Sequence, residues 1–198
     1  MKNLIYLIVA LFFVAGANAQ KIKEADFAGN VRAFMPDSSI VQLEKTNVQV
    51  KTKATGSKIW WGIGSQKAFI EVPGQKSKTQ FEPGSGYQLV VKALNNELDP
   101  SSLVMVFKME VKGSKRRGHM GKVNNLVGNT TLGFEQINFE GKKFGKSSYI
   151  IDLGDLPHGE YGVVILNPDK PNDTNLIIYS FGVIDEDPQE EIVEEEQI

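Results

Sequence analysis

Two histidines, no cysteine and scattered carboxylates bound the chemistry open to this 198-residue chain. Without a thiol there is no cysteine nucleophile, no disulfide and no Cys-ligated zinc or iron–sulfur site. His119 and His158 fall in neither HExxH nor HxH spacing, so no chelating pair is written locally. His119 has cationic neighbours that disfavour its charged form, and His158 stands in a Pro157-His158-Gly159 turn. Both read as solvated turn residues. A serine nucleophile needs a base and an orienting acid. The chain has no GxSxG, and no helical pattern follows the elbow-like Gly62-Ile63-Gly64-Ser65. Gly113-Ser114-Lys115 lacks the upstream glycine and following helix of a phosphate-binding loop. Asp152 with Asp155, and Asp169 with Asp173, lack calcium-loop spacing and read as turn formers. A carboxylate pair for glycoside hydrolysis would have to be assembled by the fold from Glu71, Glu110, Glu135 or Glu160. The expectation is no catalytic residue, no metal and no cofactor, with a hydrolase on strand carboxylates as one alternative.

Two features speak of binding instead. Trp60-Trp61 lie in a strand-like stretch, where one ring must face inward and the other outward. Trp61 is in phase with Ile59 and Ile63, which assigns it to the core and leaves Trp60 as a platform on which a sugar ring could stack. The second alternative is therefore a carbohydrate-binding module. The other feature is GSKRRGHMGK, where Lys115, Arg116, Arg117, His119 and Lys122 follow Lys112. Gly113, Gly118 and Gly121 mark it as a turn or loop between strands, and its cations could hold phosphate, lipid headgroups or anionic glycans. No interleaved aromatic is present to stack on bases, which argues against nucleic acid. Asn129-Thr130-Thr131 and Asn172-Asp173-Thr174 match the glycosylation pattern, which matters only in a host with the machinery.

Strands must position these groups. Apolar residues alternate at Val48/Val50, Ala68/Ile70/Val72, Tyr87/Leu89/Val91/Ala93 and Leu103/Met105/Phe107/Met109/Val111. Further strands are expected near 134–139, 148–153, 161–166 and 177–183. Pro/Gly turns separate the runs too closely for crossover helices. Only residues 21–28 suggest a short helix. The fold expected is an all-β antiparallel sandwich, immunoglobulin-like or jelly-roll-like, rather than a barrel, because no evenly matched hairpins announce closure.

The ends differ from the body. Lys2, the apolar run Leu4–Val14 and Ala17-Asn18-Ala19 form an export signal, with cleavage expected between Ala19 and Gln20. The run is too short to span a bilayer comfortably, and no later run approaches ~20 residues, so no transmembrane segment is expected in the mature chain. Residues 20–183 form one domain with 21 bases and 16 acids, while 184–198 carry eight acids and no base. Such a like-charge run cannot offset the entropy of ordering, so a disordered acidic tail is expected; it either aids solubility or folds back on the basic body.

The leader ending Ala-Asn-Ala-Gln, with IWWGIGSQKAFIEVPGQKSKTQF, LDPSSLVMVFKMEVKGSKRRGHMG and LPHGEYGVV…IIYSFGV, resembles exported β-sandwich proteins of Gram-negative bacteria with no assigned activity. The resemblance covers residues 40–183. It implies a β-sandwich on the envelope side and assigns no functional residue. Together the readings favour a non-catalytic interaction module, periplasmic, surface-bound or secreted, whose partner is a protein or glycan of the envelope.

Overall fold

The computed structural model describes residues 22–55, 65–124, 134–167 and 174–185. The chain is all-β. In order the strands are β1 (Val31–Phe34), β2 (Ile40–Gln42), β3 (Glu44–Gln49), β4 (Lys51–Thr55), β5 (Ser65–Pro73), β6 (Gln80–Phe81) and β7 (Gln88–Lys92). They continue with β8 (Val104–Lys112), β9 (Lys115–Asn124), β10 (Glu140–Phe144), β11 (Ser148–Asp152), β12 (Gly159–Ile165) and β13 (Asn175–Val183). A smaller antiparallel sheet has the order β10-β11-β7-β1-β2. The larger runs β3-β13-β12-β8-β9-β5-β4, with β6 added parallel to β13.

The larger sheet curls into a half-barrel, and the cause is one residue. Only Val50 separates β3 from β4, so both are parts of one bent strand. Its first part pairs with β13 through Glu44–Gln49, and its second with β5 through Lys51–Thr55. Both edges of the ladder therefore lie on the same stretch of chain. The sequence argues for a sandwich rather than a barrel; two packed sheets are present, and the larger one curls through a bend rather than through matched hairpins.

Each face of the curl has its own core. Val104 and Val106 of β8, Tyr161 and Val163 of β12, and Tyr179 and Phe181 of β13 face outward and pack on Val31, Leu89, Val91, Tyr149 and Ile151 of the smaller sheet. Facing inward, Ala68, Ile70, Val72, Phe107, Met109, Met120, Val164 and Ile178 form the second core. Strand β8 is thus apolar on both faces, whereas alternation assigns one face alone; Val111, expected inside, is 49 % exposed. The Phe107 ring stacks on Phe134 with centroids 3.7 Å apart. It lies over two glycines of neighbouring strands. A Cβ on Gly162 would come within 2.5 Å of the ring, and one on Gly118 within 2.6 Å. Glycine is used in these strands as room for an aromatic ring.

Other expectations are corrected. Residues 22–28 form bends and a turn, not a helix. They are pinned because Glu24 accepts from Ser147 N–H (3.0 Å) and Ser148 Oγ–H (2.8 Å) and pairs with Lys92 (3.3 Å). Residues 134–139 make only a bridge at Gln136 to Phe107, not a strand. The basic run is no loop: a turn at Gly113-Ser114 leads into β9 from Lys115. No helix among the described residues is long and apolar enough to cross a membrane.

Candidate functional site

Period-2 alternation sorts the basic run into two populations. Arg116, Gly118 and Met120 point into the curl; Lys115, Arg117 and His119 point out. Antiparallel register extends the outward set across four strands. Lys51 and Lys53 of β4 oppose Phe69 and Lys67 of β5. Phe69 and Glu71 oppose His119 and Arg117 of β9, and Glu110 and Lys112 of β8 oppose Arg117 and Lys115. Lys108 lies on the same side of β8 as Glu110. The smaller sheet covers the outward face over β13, β12 and the first part of β8. It leaves this second part uncovered. Lys51, Lys53, Lys67, Lys108, Lys112 and Lys115 are exposed, and Arg117 is partly so.

Among the residues whose side chains are described, seven permanent cations therefore share one sheet face with two carboxylates, Glu71 and Glu110. Glu71 accepts from Lys51 (2.8 Å), Lys115 (3.3 Å) and Arg117 (2.6 Å). The hydrogen bonds from Lys51 and Arg117 outweigh the opposing effect of burial and hold its carboxyl down at about 2. The Arg117 guanidinium lies 4.3 Å over the Phe69 ring, which explains how an outward phenylalanine on a charged face is covered. His119 Nε2 sits 3.0 Å from Glu110 Oε2, and that hydrogen bond holds the Glu110 carboxyl below its usual range. Lys108 Nζ donates to the His158 carbonyl (3.1 Å). Lys53, Lys67 and Lys112 form no close ion pair with a carboxylate among the described residues. One sheet face thus holds rows of positive charge spaced roughly 5 Å across strands and 7 Å along them.

Arg116 has another task. Its side chain is fully buried. Nε donates to the Gly74 carbonyl (3.2 Å), Nη1 to Glu160 Oε2 (3.4 Å) and Ser180 Oγ (3.1 Å), and Nη2 to Glu44 Oε2 (2.9 Å) and the Pro73 carbonyl (2.9 Å). A guanidinium has five N–H donors, and each has an acceptor here. The same carboxylates fasten the chain between β5 and β6: Ser77 N–H donates to Glu160 (2.8 Å) and Lys78 N–H to Glu44 (3.0 Å). Burial pushes the Glu44 carboxyl up, but the Lys78 N–H and the Arg116 guanidinium overcome that and hold it below the usual range. Arg116 is an ionic plug at one end of the curl, out of reach of a ligand on the outer face.

The structure thus brings Lys115, Arg117 and His119 together on the outer face and removes Arg116 from it. Alternation of Arg116, Gly118 and Met120 was the available signal. Lys51, Lys53, Lys67 and Lys108 join the face only through strand pairing, which no spacing in the sequence discloses. Of the carboxylates, Glu71 and Glu160 are held by the cations named, Glu110 is hydrogen-bonded to His119, and Glu135 is exposed elsewhere. Asp152 accepts from the Gly154 N–H (2.9 Å), as a turn former does. With Asp155, Glu82 and Tyr87 it lines a shallow cavity of about 130 Å³. No cluster of three or more His, Asp or Glu that could hold a metal occurs among the described residues. Trp60, Trp61, the cleavage site at Ala19 and Gln20, Asp169, Asp173 and both glycosylation sequons (129–131 and 172–174) lie wholly or partly outside the described residues, as does all of the acidic run beyond Asp185. Compared with family models, curated proteins and solved structures, the chain matches none.

Proposed function

We propose that the chain is an exported, non-catalytic β-sandwich-type binding module whose uncovered basic face holds an acidic polysaccharide of the cell envelope. The observation that carries this reading is the face itself: among the described residues, seven cations against two carboxylates on one side of four paired strands. Clustered exposed cations raise the local concentration of a polyanion and bind it in a salt-dependent way. A polymer suits the face better than a bilayer does. Among its described residues the face has one large apolar side chain, Phe69, which is buried under Arg117, so these residues offer nothing to insert between lipids. It suits nucleic acid less well, because Phe69 is covered by Arg117 and is not free to stack. The leader at residues 1–19 supports export, and the two packed sheets support the sandwich reading.

The test is binding of heparin, a sulfated polysaccharide, by the chain beginning at Gln20, measured by calorimetry in low salt. Binding is expected to weaken at least about tenfold when Lys53, Lys67 and Lys112 are all changed to Gln, since none of these has an ion pair to lose among the described residues. Unchanged binding by that variant would dispose of the reading.

A further inference from the structure

We infer that the acidic segment 185–196 of the same chain is a resident ligand of this basic face and competes there with the external polymer; the inference rests on the reading of the face as a polyanion site. Strand β13 ends at Val183, paired with Gly159 of β12 and Phe81 of β6, and the Ile184 N–H donates to the Phe81 carbonyl (3.0 Å). Gly159 is packed under the Lys108 stem so closely that a Cβ there would lie 2.7 Å from Lys108 Cε. The chain therefore departs beside Lys108, a cation of the face. The antiparallel register puts this departure at the end of the sheet that carries Lys112 and Lys115.

Reach and charge agree with this. From β13 to β4 there are five strand steps, or about 24 Å at ~4.8 Å each. Residues 186–198 span up to about 43 Å when extended. Asp185, Glu186, Asp187, Glu190, Glu191, Glu194, Glu195 and Glu196 bring eight negative charges with no base among them. They meet a face that keeps Lys53, Lys67 and Lys112 without a close ion pair among the described residues. A short tether gives an effective concentration in the millimolar range, so a contact too weak to form between separate molecules is populated within one.

The experiment compares the chain beginning at Gln20 with a variant in which the eight acids are changed to Asn or Gln. Carbodiimide cross-linking and mass spectrometry on mixed light and heavy samples read the contact, and heparin calorimetry reads the competition. We expect cross-links within one molecule, from Lys53, Lys67, Lys112 or Lys115 to Glu190–Glu196. They should form at ~20 mM salt and be lost at ~0.5 M. The neutralised variant should bind heparin about tenfold tighter. Cross-links that are absent, or that join only separate molecules, overturn the inference, as does equal heparin affinity of two chains that both bind. If cross-links form within the chain but neither chain binds heparin, the segment occupies the face and the polysaccharide reading fails instead.

Discussion

Phe107 shows how one side chain organises several strands. It is 1 % exposed, stacked on Phe134, and seated over Gly118 and Gly162. Phe107→Ala is expected to cost about 3–5 kcal/mol in urea denaturation, from lost burial plus the cavity left behind. Gly162→Ala adds a methyl where the ring already stands and should cost about 1–3 kcal/mol. A value near zero would show that the ring does not occupy that space. Arg116 is the ionic counterpart. Arg116→Ala would strand Glu44 and Glu160 in a buried site and should cost about 3–5 kcal/mol, whereas Arg117→Ala, on the exposed face, should cost far less. Equal costs would contradict the inward and outward assignment of these neighbours.

At the scale of elements, the hairpin β8–β9 carries the lesson about legibility. Its inward positions are Arg116, Gly118 and Met120, and the middle one has no side chain. Three glycines in ten residues look like a loop, although two of the positions keep the strand phase. Gly118 can be understood only once Phe107 is seen beside it. The phase of Ala68, Ile70 and Val72 was readable because every inward position is apolar and its neighbours are Lys67 and Glu71. The double burial of β8 was not, since Val104 and Val106 serve a core whose other half is supplied by β7 and β11. Nor was the bend at Val50, which differs from an ordinary strand position only in the partners found on either side. Of the site, Lys112, Lys115, Arg117 and His119 were visible as a local run. The lysines of β4 and β5 reached it through long-range pairing.

The whole molecule divides its charge: a basic face on the folded body and an acidic segment beyond its last strand. Glu71 tunes that face. Its carboxyl, held at about 2 by three cations, contributes stability that is complete above about 4.5 and is lost as pH falls through about 2. The urea midpoint should therefore fall on acidification through this window, and Glu71→Gln should flatten the fall. An identical pH profile in the variant would refute the triple pairing. Glu71→Gln also frees Lys51, Lys115 and Arg117, so heparin affinity should rise. The most direct measurement is the salt dependence of heparin binding by the chain beginning at Gln20, made beside its Lys53/Lys67/Lys112→Gln variant. A basic sheet face requires affinity to fall steeply as salt rises from ~50 to ~200 mM, with a shallower slope in the variant. Affinity that ignores salt, or equal slopes in the two proteins, would contradict it.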